Sequence, residues 1–371
     1  MAKPFVRRAF KFFFVTLNII VVIFFLLACL CPYLNPAEWW VIGFMGLLFP
    51  YLTLVLLLLI VFWFIVKPGI AWISIITLVI GYQQISVAFG RHPARVFVKN
   101  KEANTFRIIN WNVQSFNGLT QNKETKKLVR NDIEKSIEAY DPDIICLQEF
   151  NTSSITGEQS DNIALFSKKF PYYFFSADYE RSKGMYKSGC IIFSKFPIIF
   201  SEKVKFPVAE SLIYADIVKG KDTIRVFTTH LQSYKFKKED YESIDNISST
   251  NDAAVLASMN VFRKMKLAFK LRGAQVDIVK NVIVRPIYPS VICGDFNDVP
   301  NSYTYFNIRG DRQDAFLTKQ LGFGKTFIGL APTLRIDYML PDNNFNILQC
   351  ELVDENLSDH LMLVTDLQIK K

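Results

Sequence analysis

Three apolar runs near the N-terminal end set the first limit on how this chain can fold. They cover about Phe12–Cys31, Val41–Val66 and Ile70–Phe89. A helix needs roughly 20 apolar residues to cross a hydrocarbon core about 30 Å thick. The first run carries no charge and the second none before Lys67. Trp39, Trp40, Trp63 and Trp72 stand near run ends, where indole rings favour the membrane interface. None of the runs keeps the polar face that a surface helix of a soluble domain turns to water. The expectation is a bilayer anchor of three transmembrane helices over residues 1–89, integral to the cytoplasmic (inner) membrane.

Charge then orients the anchor. Lys3, Arg7, Arg8 and Lys11 precede or open the first run, and the loop 31–40 holds no Lys or Arg. The positive-inside tendency puts the N-terminus in the cytoplasm and everything beyond Phe89 on the non-cytoplasmic side. Arg91, Arg95 and Lys99 pull the other way, yet a long domain translocates regardless of nearby charge. A cleaved signal over residues 1–31 is disfavoured, although Leu26-Leu27-Ala28-Cys29 loosely resembles a lipoprotein site. The run is long for a signal, and two further runs already anchor the chain. A transporter or channel is excluded by the lack of acids and bases inside the runs.

The remaining residues have a different character. Gly90–Asn104, with Pro93 and several charges, reads as a linker. From Thr105 onward, short apolar strands alternate with polar and helical stretches. Residues 1–100 hold eight Lys/Arg against one acid, and residues 101–371 hold 35 against 33. The basic balance therefore sits in the anchor, and the rest lacks the general footprint of a nucleic-acid binder. A local basic strip, Arg263, Lys264, Lys266, Lys270 and Arg272, lies in the helical stretch Asp252–Asn281. Another amphipathic helix is expected over Glu124–Tyr140, with Leu128, Ile133 and Ile137 on its apolar face. Ser233–Asp252 reads as a long polar loop. The six cysteines show no metal-ligand spacing and read as small buried thiols.

Several strands end in groups that can do chemistry. Phe106–Asn112 ends in Asn110-Trp111-Asn112, and Asp143–Leu147 runs into Gln148-Glu149. Thr223–Thr229 ends at His230, and Ser290–Cys293 leads into Gly294-Asp295-Phe296-Asn297-Asp298. A carboxylate and a carboxamide two residues apart past a strand end can face one space and serve phosphate-ester hydrolysis. The same four residues also make an ordinary turn. Of three histidines, two stand at such ends. Strand ends converging on one rim are the usual setting for a site in a layered α/β domain.

Read in order, Asn110-Trp111-Asn112, Leu147-Gln148-Glu149, Thr229-His230-Leu231-Gln232-Ser233, Gly294-Asp295-Phe296-Asn297, Arg335-Ile336-Asp337-Tyr338 and Ser358-Asp359-His360 resemble the motifs of the endonuclease/exonuclease/phosphatase superfamily. The resemblance covers about residues 105–371. It implies a deoxyribonuclease I-like α/β four-layer sandwich, two packed mixed β-sheets flanked by helices. It further implies a Mg²⁺ (or Mn²⁺) site on Glu149, with Asn112 and Asp359 nearby, in line with the oxygen ligands that hard cations take. Asp295 would orient or deprotonate water, Asn297 would donate to the phosphoryl oxygens, and His230 would hydrogen-bond the phosphate. His360 would be the general acid/base, with Asp337 on its other ring nitrogen. Arg335, Ser358 and Gln148 would support these groups. Thr-His-Leu-Gln-Ser departs from the exonuclease III branch. In deoxyribonuclease I a Glu pairs with the first catalytic His, and the sequence assigns none here.

The expectation is a membrane-anchored, divalent-metal-dependent phosphoesterase acting on phosphodiester bonds, first of all nuclease-like. Its alternatives are a sphingomyelinase-like lipid phosphodiesterase, a phosphomonoesterase and, remotely, a non-catalytic binding module on the same fold. The substrate would thus be nucleic acid or a lipid headgroup. The basic strip would meet DNA in the first case and lipid headgroups in the second.

Overall fold

The computed structural model describes residues 2–93, 95–117, 123–155, 160–237, 239–241, 252–284 and 286–370. Helices come first: α1 (Ala2–Ala28), α2 (Val41–Val66), α3 (Pro68–Ile80) and α4 (Tyr82–Ala88). There follow β1 (Gly90–Arg91), β2 (Thr105–Asn112), α5 (Lys123–Glu138), β3 (Ile144–Ser153), α6 (Asn162–Ser167), β4 (Tyr172–Phe175), β5 (Tyr179–Arg181) and β6 (Tyr186–Ser194). β7 (Ile198–Lys205), β8 (Ser211–Lys219), β9 (Asp222–His230), α7 (Asp252–Ile283), β10 (Ser290–Asp295), α8 (Tyr303–Arg309) and α9 (Ala315–Lys319) come next. The chain closes with β11 (Leu321–Gly322), β12 (Asp337–Pro341), β13 (Phe345–Val353) and β14 (Met362–Ile369).

Two mixed sheets form the expected sandwich. One has the order β12-β10-β9-β8-β7, the other β13-β14-β2-β3-β6-β4 with β5 beside β6. Strand side chains alternate between faces, and the sequence exploits both. Ile108, Ile144, Cys146 and Ile192 meet Ile213, Val226, Val291 and Cys293 between the sheets. Their neighbours Ile109, Trp111, Ile145 and Leu147 pack outward under Ile133, Ile137 and Phe166 of the covering helices. On the other side Phe227, Ile292 and Tyr338 lie under α7 and α8. All six cysteines are buried free thiols.

The strand pairs β2/β3 and β9/β10 are parallel, so their C-terminal ends share one edge. β12 runs antiparallel to β10 and sets Asp337 opposite Asp295, while β9 sets His230 beside Asp295. Motifs far apart in sequence are thereby brought to one rim.

The third apolar run differs in shape from the first two. α1 and α2 are long and apolar enough to cross a membrane, but α3 and α4 meet at a 67° bend. Gly81 at the bend sits so close to α1 that a Cβ there would lie 2.4 Å from the Phe25 ring. The 13 residues of α3 rise about 20 Å, short of the core thickness. The expected span 70–89 is therefore two helices with a bend between them, so the described residues hold two straight helices of spanning length, or three spans if the bent pair is one. Phe25, Phe49, Leu56 and Trp63 pack among the helices, whereas Leu54, Leu58, Val61 and Ile65 point outward. Ser74 donates to Asn18 Oδ1 at 2.8 Å, a buried polar contact between α1 and α3.

Residues 90–104 also differ from a free linker. Gly90–Arg91 pairs with Leu321–Gly322, and Val98 N donates to Gln349 Oε1 at 2.9 Å. Helix α5 uses Val129, Ile133 and Ile137 as its buried stripe, while Leu128 is 62% exposed, one position off the expected face. Most of the loop expected over Ser233–Asp252 lies outside the described residues.

Candidate active site

Local backbone geometry aims each group at the shared rim. β3 breaks register between Leu147 and Phe150, and Glu149 within this bulge has φ +51°. A bulge adds a residue and turns a side chain out of the ladder. Asn297 likewise has φ +53°. Such conformations cost about 1–3 kcal/mol each for non-glycine residues and persist where the surroundings impose them. Gly294 allows the approach of β9: a Cβ there would lie 2.1 Å from Thr229 O.

The side chains then meet. His360 Nδ1 lies 2.9 Å from Asp337 Oδ2. Asp295 Oδ2 lies 3.5 Å from His230 Nε2 and 3.8 Å from His360 Nε2, and it accepts from Asn112 Nδ2 at 3.1 Å. Asp295 Oδ1 accepts from Asn297 N at 2.8 Å. Glu149 Oε1 is 3.9 Å from His230 Nε2 and accepts from Asn112 Nδ2 at 3.2 Å. Asn297 Nδ2 donates to Leu231 O at 2.9 Å, which joins two motif loops. Glu149, His230, Asp295, Asn297, Asp359 and His360 all line one cavity of about 310 Å³. All eight expected residues therefore gather here, Asn112 and Asp337 through the contacts just given.

Charge in the cavity is crowded. Burial favours a neutral His230, but Glu210, Asp295 and Glu149 outweigh it and raise its pKa to about 10. His360 is raised to about 10 in the same way, burial being overcome by Asp337 and Asp295. Burial, with Asp337 adding to it, raises Asp295 against the pull of both histidines. Asp359 is raised chiefly by burial, and Glu149 adds to it. Clustered carboxylates that resist ionisation are the groups a divalent cation would relieve.

The donor set, Glu149 and Asp359 with Asn112 beside Glu149, fits a hard cation. Asn112 presents its amide N–H to Glu149 and Asp295, and its oxygen accepts from Gln114 N at 3.0 Å. So placed, Asn112 orients Glu149, and its amide oxygen, which has two lone pairs, retains one for a cation. Among the described residues, ligating atoms of Asp295, Asp337 and His360 lie within 4.8 Å of one another. The short Asp337–His360 bond already occupies two of them. Of the four described carboxylates that line the cavity, Asp295 sits between the two histidines and Asp298 is held by Arg272 and Thr304, which leaves Glu149 and Asp359.

Further residues join the site without a sequence signal. Glu210, before β8, lies 3.7 Å from His230 Nδ1 and fills the place for which the sequence offered no carboxylate. It stands alone in the turn after β7, outside any motif. Arg272 is fully buried, 3.3 Å from Asp298, and donates to Gln232 O at 2.7 Å. It thus ties α7 to two motif loops and is no part of a surface strip. The residues expected to support these groups make buried polar bonds of their own. Ser358 Oγ donates to Asn112 O at 2.7 Å, Gln148 Nε2 donates to Asn110 and Thr228, and Arg335 pairs with Asp314 at 2.7 Å.

Residues 109–360 match the model of the Endonuclease/Exonuclease/phosphatase family. Residues 10–88 match a domain of unknown function. No curated protein matches the chain. A solved endonuclease/exonuclease/phosphatase from Beutenbergia cavernae is 18% identical with a TM-score of 0.50, over 72% of each chain. The human Nocturnin catalytic domain, solved with bound sulfate, is 18% identical with a TM-score of 0.51, over 72% of this chain and 94% of its own. These two likenesses are of fold.

Proposed function

Since the chain belongs to the Endonuclease/Exonuclease/phosphatase family and is a phosphoester hydrolase of that type, we propose that it cleaves phosphodiesters by metal-assisted attack of water. Glu149 and Asp359, with Asn112 beside Glu149, would hold Mg²⁺ or Mn²⁺, which would supply positive charge to the phosphoryl group. Asp295 takes the proton of the attacking water through Oδ2, the oxygen that faces both histidines. Asn297 has one amide N–H on Leu231 and gives the other to the phosphoryl group as charge develops. His230, whose Nε2 is buried without a hydrogen-bond partner, donates to the same anion. His360, held by Asp337, gives a proton to the leaving oxygen.

The observation that carries this reading is the 2.9 Å Asp337–His360 pair beside Asp295 and Glu149 in one cavity. The motifs favour a nuclease-like reaction first. The test uses full-length protein in detergent with bis(4-nitrophenyl) phosphate. EDTA is expected to abolish hydrolysis and Mg²⁺ or Mn²⁺ to restore it, with Glu149→Gln needing more metal. Activity indifferent to EDTA would overturn the metal assignment.

We also propose that residues 1–89 anchor the protein in the cytoplasmic membrane, that 90–104 connect, and that 105–371 catalyse on the non-cytoplasmic side. In support, Asn301 Nδ2 donates to Ala28 O at 3.0 Å and Arg335 Nη2 to Val87 O at 2.6 Å. The end of α1 and the end of α4 therefore meet the α/β domain together, a helix length away from the basic N-terminus.

A further inference from the structure

Helix α2 does more than anchor the chain. Leu47, in its second turn, lines the same cavity as Glu149, His230, Asp295 and His360. This placement is fixed by close packing on both sides of it. A Cβ at Gly46 would lie 2.4 Å from Asn301 O, and one at Gly43 would lie 2.5 Å from the Phe269 ring. Phe44 stacks on Phe262 at 5.1 Å and meets Phe269 edge-on at 5.0 Å. The first two turns of α2 are thus part of the wall around the site, and the helix then continues with outward-facing Leu54, Leu58 and Val61.

Part of the cavity wall is apolar. Phe236, Phe327, Leu330 and Leu334 line it together with Leu47, and Leu330 is 46% exposed. Nearby, α7 displays Met259, Phe262 and Leu267 beside exposed Arg263 and Lys270. Lys266 Nζ lies 4.4 Å over the Trp40 ring at the start of α2. Tryptophan and basic residues mixed with apolar side chains belong at the headgroup level of a bilayer.

A polyanion finds less here. Lys235 is the one Lys or Arg among the described lining residues. Of the basic strip on α7, Arg272 is buried against Asp298, Lys264 is paired with Asp240 at 2.5 Å, and Lys266 sits over Trp40. Binding to nucleic acid draws on several free bases at once.

We propose that the substrate is a phosphodiester lipid, entering from the bilayer surface with its phosphate at His230 and His360 and its hydrocarbon end along Leu47, Leu330 and Leu334. This rests on the hydrolase reading above, and the bond broken is the phosphorus–oxygen ester bond of that reaction. A membrane helix forms the apolar side of the substrate path, so the anchor and the active site are one device.

The test uses full-length protein in mixed micelles containing, in separate assays, fluorescent phosphatidylcholine, phosphatidylglycerol or sphingomyelin. Bis(4-nitrophenyl) phosphate and a single-stranded oligonucleotide serve as water-soluble comparisons. At least one lipid is expected to be hydrolysed. Leu330→Gln and, separately, Leu47→Gln should lower the ratio of lipid to soluble-ester kcat/KM ten-fold or more, and Leu330→Met should keep it near wild type. The ratio reports the path even where a variant loses some folded protein. Cleavage of the soluble ester or oligonucleotide with every lipid intact overturns the proposal and leaves the hydrolase reading standing. An unchanged ratio in both Gln variants also overturns it. No hydrolysis of any ester overturns both.

Discussion

The two histidines of the cavity carry the same raised pKa but are held very differently. His360 is fixed at four points. Its Nδ1 meets Asp337 at 2.9 Å, its carbonyl accepts from Trp111 Nε1 at 2.8 Å, its N–H donates to Ser358 Oγ at 3.2 Å, and its ring stands edge-on to Phe327 at 5.1 Å. His230 is surrounded by carboxylates at 3.5, 3.7 and 3.9 Å, and none makes a short bond to it. Charge alone holds a side chain loosely, whereas a short bond with packing fixes its direction. The first arrangement suits a proton donor that must point correctly before the reaction. The second suits a cation that turns to meet an anion.

Asp337→Asn should therefore have the largest effect. An amide on Nδ1 favours the wrong tautomer of His360, and kcat should fall by about 10³–10⁴, read by steady-state kinetics on bis(4-nitrophenyl) phosphate. His230→Gln comes next: losing one donor to the developing charge should cost about 10²-fold in kcat/KM. Glu210→Gln should cost less, about ten-fold, because Asp295 and Glu149 still support the imidazolium. Equal losses for Asp337→Asn and Glu210→Gln would erase the distinction between the two ends.

The smallest effect concerns pH. Both histidines are raised from 6.5 to about 10, so the folded state binds their protons more tightly than the unfolded chain does. The stability this gives is complete below about pH 6.5 and is lost as pH rises through about 10. Tm of the metal-free protein should fall across that window, and His230→Gln should flatten the fall. Metal affinity should run the other way, because a cation competes with the two imidazolium charges. A Mn²⁺ Kd that tightens from pH 6.5 to 9 by calorimetry is the expected result.

The rim was readable in sequence because its residues sit at strand ends: Asn112, Glu149, His230 and Asp295 each follow an apolar run, and His360 stands just before the last one. Their partners were harder to see. Glu210 comes from a turn with no pattern of its own, and only the register of β8 against β9 carries it to His230. Arg272 looked like a surface base by its neighbours Lys266 and Lys270. One helical turn decides otherwise, since Phe269, Val276 and Arg272 share the buried face. The broken third helix was hidden for a similar reason. Apolar length shows that a run can cross a bilayer, but the bend at Gly81 lies against the Phe25 ring, a contact between residues 56 positions apart.

The account stands most directly on His360. Hydrolysis of bis(4-nitrophenyl) phosphate should be measured for full-length wild type and His360→Ala in the same detergent, with saturating Mn²⁺ and matched thermal unfolding curves. A folded variant slowed by about 10³-fold or more is the expected result. A folded variant that keeps wild-type turnover would contradict the placing of the reaction at this rim.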